Sequence, residues 1–257
     1  MKTLVEAVVV LLAVASCGGT ASQAPAPTLG PVPAGAITVF AASSLTNAFD
    51  RVAEELARLY PGTRYTFNYG SSSTLATQIV NGAPADVFAS ADEPNLQKVV
   101  AAGIAQGAAS IFATNRLQIA VAPGNPKRIS ALADLARRDL VVVLAAPSVP
   151  AGRYAVEALG RAGVTLVPAS LEVDVRAVLN KVALGEADAG IVYVTDVISA
   201  GPRVAGVGIP EQHQVVARYP VVALRESRNQ RLSDRFIQFL LGPDGQRILA
   251  DLGFARP

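Results

Sequence analysis

A repeated alternation of short apolar segments with amphipathic segments starts at Ile37 and limits the folds that this sequence can adopt. The first apolar segment, ITVFAA, is typical of a buried strand, and SSLTNAFDRVAEELARLYPG follows it at once. In the second segment Phe49, Val52 and Leu56 recur at helical spacing, and Pro61 with the next glycine ends the pattern. This part of the chain is therefore predicted to be a strand that leads directly into a helix.

The same alternation recurs along the rest of the chain. Strands are predicted for RYTFNYG, ADVFASAD, LQIAVAP, DLVVVLAAP, DAGIVYVTD and YPVVALR. Helices are predicted for SSTLATQIVNG, EPNLQKVVAAG, AGRYAVEALGRAG, VRAVLNKVALG, QRLSDRFIQFLLG and PDGQRILADLG. Alternation of this kind predicts an α/β fold with mainly parallel sheets. In such folds ligands bind at the carboxyl ends of the strands, where the following helices begin.

Three strand-to-helix junctions carry small or hydroxyl-bearing residues: AASSLT (41–46), GSSST (70–74) and PSVPAG (147–152). The start of a helix has unpaired backbone N–H groups and a partial positive charge, which favour an anion. Ordinary helix capping is the alternative explanation for each junction. A cap needs one hydroxyl, however, and GSSST has four, so the three junctions together favour an anion site.

Catalytic chemistry has little support in the sequence. The motifs G-x-S-x-G, H-E-x-x-H and G-x-x-x-x-G-K-[ST] are absent, and a serine nucleophile would need a base. The single histidine, His213, lies in the polar segment PEQHQVV and is expected at the surface, and neither Lys127 nor Lys181 has a supporting pattern. One histidine and one cysteine also leave few metal ligands. We therefore expect no enzyme, no catalytic residue and no cofactor, with a secreted serine hydrolase as the remote alternative.

Two carboxylates, Asp86 and Asp188, each precede an apolar strand. They could contact a cation or a ligand. The expected role is to fix the loops that lead into the strands, because aspartate side chains readily accept hydrogen bonds from nearby backbone N–H groups.

The amino terminus predicts export. The segment MKTLVEAVVVLLAVAS has an early positive charge and a short apolar run, which indicates a signal peptide over residues 1–16. The next residue is the only cysteine, and VASC resembles a bacterial lipobox, so Cys17 is a predicted lipidation site; incidental placement after an ordinary signal is the alternative. Residues 17–36 are rich in Gly, Pro, Ala and Ser and are predicted to be a flexible tether.

Charge argues against a nucleic-acid partner. The formal net charge is +2, aromatic residues make up 5% of the chain, and Lys and Arg do not cluster. A nucleic-acid site needs a dense basic patch or aromatic rings on which bases stack.

Five ordered blocks resemble one known family. They are ITVFAASSLTNAF, GSSSTLATQIVNGAPADVFASAD, PSVPAGRYAVEAL, VDVRAVLNKV and ADAGIVYVTD. In this order and spacing they are similar to the extracytoplasmic molybdate-binding proteins that deliver the oxyanion to ABC importers. The resemblance runs from Ile37 to Phe254.

The resemblance implies a two-lobed fold of the type II periplasmic-binding-protein kind, with the ligand in the cleft between the lobes. Residues 37–117 and 221–257 would form lobe 1, and residues 118–220 would form lobe 2. The implied ligand-binding residues are Ser44, Ser72, Ala151, Val175 and Tyr193. Molybdenum would be bound only as the oxyanion, through serine hydroxyls, backbone N–H groups and the phenol.

The implied ligand is molybdate, with tungstate also expected because it has the same charge and shape. The implied partners are the permease of an ABC importer and, through the lipid anchor, the outer face of the cell membrane; a monomer is expected. Sulfate or another small anion on the same scaffold is the alternative. Arg153 and Arg176 lie next to proposed ligand residues: they either point to solvent, which is the expected case, or add attraction for the anion.

Overall fold

The computed structural model describes residues 34–257. The predicted signal peptide (1–16), the predicted lipidation site Cys17 and the predicted tether up to residue 33 lie outside the described residues. Among residues 34–257, no helix combines the length and the apolar character that crossing a membrane requires.

Strands and helices alternate as the sequence predicts. The strands are β1 (Gly35–Ala42), β2 (Thr63–Gly70), β3 (Val87–Ala89), β4 (Ala105–Val121), β5 (Val142–Ala145), β6 (Ser170–Glu172), β7 (Ala189–Tyr193), β8 (Ala205–Gly208) and β9 (Val216–Leu224). The α-helices are α1 (Thr46–Leu59), α2 (Ser72–Val80), α3 (Glu93–Ala101), α4 (Pro150–Arg161), α5 (Val175–Ala183), α6 (Val194–Ala200), α7 (Gln230–Leu241) and α8 (Pro243–Asp251). Short 3-10 turns are also present, and one of them, Ser43–Leu45, joins β1 to α1.

The strands follow the order β2-β1-β3-β9-β4-β7-β5-β6, and β8 pairs with β4. Pairing is parallel among β1, β2 and β3 and among β5, β6 and β7. It is antiparallel wherever β4 or β9 takes part. The α/β class is confirmed, but the sheets are mixed rather than mainly parallel, because these two long strands run against their neighbours.

Strand β4 connects the two groups of parallel strands. Its residues between Ala105 and Arg116 pair with β9, residues 117–121 pair with β7, and residues 118–121 also pair with β8. The partner therefore changes at Leu117, where the sequence places the end of the first segment of lobe 1. The division of the chain into lobes stays a prediction.

Several boundaries differ from those expected, and strands β6 and β8 lie in segments for which no strand is predicted. Strand β1 begins at Gly35, so it includes the last two residues of the predicted tether, because Gly35 and Ala36 pair with β2. Strand β4 begins well before the predicted segment LQIAVAP. Strand β7 ends at Tyr193, and the predicted strand residues VTD open helix α6 instead. In that turn the Asp196 carboxylate accepts a hydrogen bond from the Tyr193 backbone N–H at 3.1 Å, which ends the strand and starts the helix.

The core holds the strand ends in place. Helix α1 buries Phe49, Val52 and Leu56 at helical spacing against the sheet, as the sequence predicts. The ring of Phe49 lies edge-on to that of Phe236 of α7, with 5.4 Å between centroids. The packing of α1 therefore helps to fix the position at which β1 ends.

Candidate anion-binding site

One small cavity lies where several strands end and helices begin. Its lining residues are Ala42, Ser43, Ser44, Gly70, Ser72, Ala91, Val149, Pro150, Ala151, Val175 and Tyr193. The structure thus brings together all five residues that the sequence singles out for ligand binding; their contact with a ligand stays a prediction.

Ser72 is the first residue of α2, and its neighbour Ser71 caps that helix. The Ser71 hydroxyl oxygen accepts a hydrogen bond from the Thr74 backbone N–H at 3.2 Å. The Ser72 hydroxyl oxygen accepts one from the Ala91 backbone N–H at 2.9 Å. Because a backbone N–H can only donate, the hydroxyl hydrogen of Ser72 remains available for another acceptor. Ser72 itself is buried and lines the cavity.

Ser44 lies in the 3-10 turn that follows β1, and its side chain is buried. Its hydroxyl oxygen is 3.0 Å from the phenol oxygen of Tyr219, a buried residue of β9. The sequence gives no sign of Tyr219 or of Ala91 as supporting residues. Neither lies next to a hydroxyl-rich junction of its own, and only the packing of the strands brings them to the two serines.

Two helices begin at the cavity and offer backbone donors. In α4 the first backbone hydrogen bond of the helix runs from the Arg153 N–H to the Val149 carbonyl at 2.9 Å. The N–H of Ala151 precedes that bond, so the helix supplies no acceptor for it. In α5 the Asp174 carboxylate accepts the Ala177 N–H at 2.9 Å, and the Val175 N–H again precedes the helical bonds. Both amides therefore belong to the anion-favouring ends of helices.

The approach of α4 to the sheet depends on Gly152. A Cβ atom at this position would lie far inside van der Waals contact with the carbonyl oxygens of Ala145 and Ala146 at the end of β5. Glycine therefore allows the first turn of α4 to sit directly on the strand end. This contact sets the position of the neighbouring Ala151 N–H.

Among residues 34–257, Tyr193 contributes the one buried side-chain polar atom that lines the cavity and lacks a hydrogen-bond partner. Its side chain is 1% exposed, and its hydroxyl has no hydrogen-bond partner among residues 34–257. Burial raises the pKa of the Tyr193 phenol well above its ordinary value, so the hydroxyl keeps its proton at neutral pH. A buried donor without an acceptor carries an uncompensated desolvation cost, which a ligand with acceptor atoms would remove.

No charged side chain lines the cavity in the described part of the chain. The expectation that Arg153 points to solvent is wrong, because its Nη2 atom lies 2.7 Å from Oδ2 of the buried Asp92. The same expectation is wrong for Arg176, whose Nε atom lies 3.1 Å from Oδ1 of the buried Asp196. A carboxylate therefore compensates each guanidinium group.

Arg176 also reaches the turn after β1. It donates to the Ser43 carbonyl oxygen at 3.2 Å and to Oδ1 of Asn47 at 2.9 Å. Burial raises the pKa of its partner Asp196 to about 6, against the lowering effect of Arg176. The two arginines thus join the helices around the cavity and leave neutral donors to face its interior.

The other residues singled out by the sequence lie elsewhere. His213 is half-buried in the 3-10 turn Glu211–His213, so it is less exposed than expected, and it does not line the cavity. Asp86 accepts hydrogen bonds from Thr38 N–H at 2.6 Å and Arg228 N–H at 3.0 Å. Asp188 accepts the Val141 N–H at 2.8 Å. The loop-fixing role of both aspartates is confirmed. No group of His, Cys, Asp and Glu suited to a metal ion occurs among residues 34–257.

Comparisons with known proteins identify the family and the fold. The family model described as bacterial extracellular solute-binding protein matches residues 37–255. The molybdate-binding protein ModA of Mycobacterium tuberculosis is 42% identical over 99% of this chain and 97% of its own length. The ModA protein of Escherichia coli is 36% identical over 86% of this chain and 89% of its own. The solved structure of the Azotobacter vinelandii periplasmic molybdate-binding protein matches with a TM-score of 0.77 at 23% identity, over 86% of this chain and 99% of that one.

Proposed function

Because this chain belongs to the bacterial extracellular solute-binding protein family, we propose that it binds molybdate outside the cytoplasm and delivers it to the permease of an ABC importer. Its relatives are named for molybdate binding over nearly the full length of the chain. Members of this family bind substrates for transporters, so the chain is a binding protein and not an enzyme.

The observation that carries the proposal is a cavity wall made of neutral hydrogen-bond donors. Two serine hydroxyls, the amides at the starts of α4 and α5, and the orphaned Tyr193 phenol converge on one small space. Molybdate at neutral pH is a dianion with four acceptor oxygens and no proton. Donors arranged in this way match its chemistry without a charged side chain, because helix ends and hydroxyls compensate the negative charge.

Anion size and protonation would set the selectivity. Hydrogen phosphate has a proton that would face donors, and an unpaired donor in a buried site is costly. Sulfate has the charge of molybdate but is smaller, so only the cavity dimensions can reject it. Tungstate matches molybdate in charge and size, and it is proposed as a second ligand.

Ligand contacts from both groups of parallel strands would couple binding to closure. Ser44 and Ser72 follow β1 and β2, whereas Ala151, Val175 and Tyr193 belong to the β5–β7 group. An anion that contacts both groups would stabilise the closed arrangement over an open one. Such a change is what a permease can recognise. Lipidation at Cys17 would hold the protein at the membrane surface, and the protein would act there as a monomer.

Isothermal titration calorimetry with molybdate, tungstate, sulfate and phosphate tests the proposal. Molybdate and tungstate should bind with similar affinity, and sulfate and phosphate should bind far more weakly. Sulfate binding as tight as that of molybdate would refute the proposed specificity and favour a sulfate receptor on the same scaffold.

A further inference from the structure

A buried chain of polar side chains connects Ser44 to residues that do not line the cavity. The Ser44 hydroxyl oxygen is 3.0 Å from the Tyr219 phenol oxygen. Asn115 of β4 reaches the same phenol oxygen with Nδ2 at 3.5 Å, and Nδ2 also donates to the Thr195 hydroxyl at 2.8 Å. All four side chains are buried. A network this far from solvent must satisfy its donors internally.

The hydrogen bonds of this network have a defined direction. The Asn115 Oδ1 atom accepts the Arg116 backbone N–H at 2.9 Å, which identifies the other amide atom as the nitrogen. That nitrogen can only donate, so the Tyr219 oxygen is its acceptor. Burial raises the pKa of Tyr219 well above that of an ordinary phenol, and the phenol keeps its own proton.

The proton of Tyr219 then has one acceptor within hydrogen-bond distance in the described chain, the Ser44 oxygen. If Ser44 donated to Tyr219 instead, the phenol proton would be buried without an acceptor, at the full desolvation penalty. The Ser44 hydrogen can instead meet an acceptor in the cavity, which Ser44 lines and Tyr219 does not. With such an acceptor present, the favoured direction runs from Asn115 to Tyr219 and from Tyr219 to Ser44.

We infer that Tyr219, oriented by Asn115, is a positioning residue that holds the Ser44 hydroxyl as a hydrogen-bond donor toward the ligand. The Ser44 oxygen accepts from Tyr219, and the Ser44 hydrogen is directed into the cavity. Tyr219 acts through Ser44 and does not itself line the cavity. The inference rests on the proposed function, because it needs an anion that accepts this hydrogen.

Ser72 is held in the same way by a different group. Its oxygen accepts the Ala91 N–H at 2.9 Å, so its hydrogen also remains available to the cavity. Both serines thus have an oxygen engaged by a donor behind them. The wall is consequently biased toward oxyanions without a proton, because both serines offer a hydrogen to the cavity.

A double-mutant cycle tests the role of Tyr219. Molybdate affinity is measured by calorimetry for the wild type, Tyr219→Phe, Ser44→Ala and the double variant. Phenylalanine retains the ring that packs edge-on against Phe112 and Phe254, so the fold should be kept, and the melting temperature without anion checks this. Tyr219→Phe should weaken binding about tenfold, the loss expected for one hydrogen bond. The double variant should bind no more weakly than Ser44→Ala alone.

Two results would overturn the inference: wild-type affinity in Tyr219→Phe, or losses from the two substitutions that simply add. Neutron diffraction from the wild-type protein with molybdate bound gives a second test that needs no variant. Deuterium attached to the Tyr219 oxygen and directed at Ser44 supports the inference, and deuterium attached to Ser44 and directed at Tyr219 overturns it. A wild-type protein that does not bind molybdate would instead refute the proposed function.

Discussion

Replacing Tyr193 with phenylalanine removes a single oxygen atom from the cavity wall. The substitution distinguishes the effect of the phenol on molybdate affinity from its effect on folding stability. The hydroxyl has no hydrogen-bond partner among residues 34–257, so its removal breaks no internal bond. A buried polar group without a partner costs about 1–3 kcal/mol. The free energy of unfolding of the anion-free variant should therefore be unchanged or higher by up to about 3 kcal/mol.

Molybdate affinity should change in the opposite direction. A hydrogen bond from the phenol to a charged acceptor contributes about 1.5–3 kcal/mol, which corresponds to a loss of about tenfold to a hundredfold in affinity. Urea unfolding without anion and calorimetry with molybdate measure the two quantities separately. Tyr65→Phe is the matched control, because its hydroxyl is also buried without a partner and Tyr65 does not line the cavity.

The control should resemble Tyr193→Phe in stability and the wild type in affinity. Two outcomes would contradict the role of the Tyr193 phenol as a donor to the anion. One is wild-type affinity in Tyr193→Phe, and the other is a parallel loss of stability and affinity, which would mark the phenol as a structural group only.

Three further predictions concern the same region. Ser72→Ala should weaken molybdate binding about tenfold or more, since it removes a donor to the anion. Ser71→Ala should mainly cost about 1 kcal/mol of stability, because it removes a helix cap. Calorimetry and urea unfolding measure the two effects, and equal molybdate affinities of the two variants would contradict the assignment of Ser72 to the ligand and Ser71 to the cap. Gly152→Ala should destabilise the fold by about 3 kcal/mol or more through steric overlap with the end of β5. Gly160→Ala on the same helix, where a Cβ meets nothing within 4 Å, should stabilise the fold by up to about 1 kcal/mol. Similar melting temperatures for the two variants would contradict the close packing of α4 on β5. Burial raises the pKa of Asp196 to about 6, so the folded protein holds this proton more tightly than the unfolded chain. The contribution of Asp196 to the unfolding free energy should therefore fall by about 3 kcal/mol as the pH rises from about 4 to about 6. Urea unfolding across this range should show that Asp196→Asn lacks this pH dependence, and parallel curves of unfolding free energy against pH for variant and wild type would contradict the prediction.

The sequence predicts the site through local patterns. Ser72 and Ala151 both stand at junctions where a strand pattern gives way to a helix pattern, and the carboxyl ends of neighbouring strands meet at one edge of a sheet. The structure places both residues at one cavity for this reason. Within GSSST, the family resemblance and not the local pattern singles out Ser72, and the structure identifies Ser71 as the helix cap.

Other features depend on pairings that no local pattern reveals. Tyr219 and Asn115 lie on two strands far apart in the sequence, and only the antiparallel pairing of β4 with β9 brings them together. The direction of Arg153 depends on the buried Asp92, which the sequence presents as an ordinary polar residue after a strand. The start of α6 inside VTD is hidden by β-branched residues, which suit a strand equally well.

Anomalous diffraction at the molybdenum absorption edge, from crystals of the protein grown with molybdate, tests directly whether molybdate binds in this cavity. We expect one strong molybdenum peak in the cavity, with anion oxygens within hydrogen-bond distance of the Ser44 and Ser72 hydroxyls, the Ala151 and Val175 N–H groups and the Tyr193 phenol. A peak elsewhere, or an anion held by the guanidinium groups of Arg153 and Arg176, would contradict it.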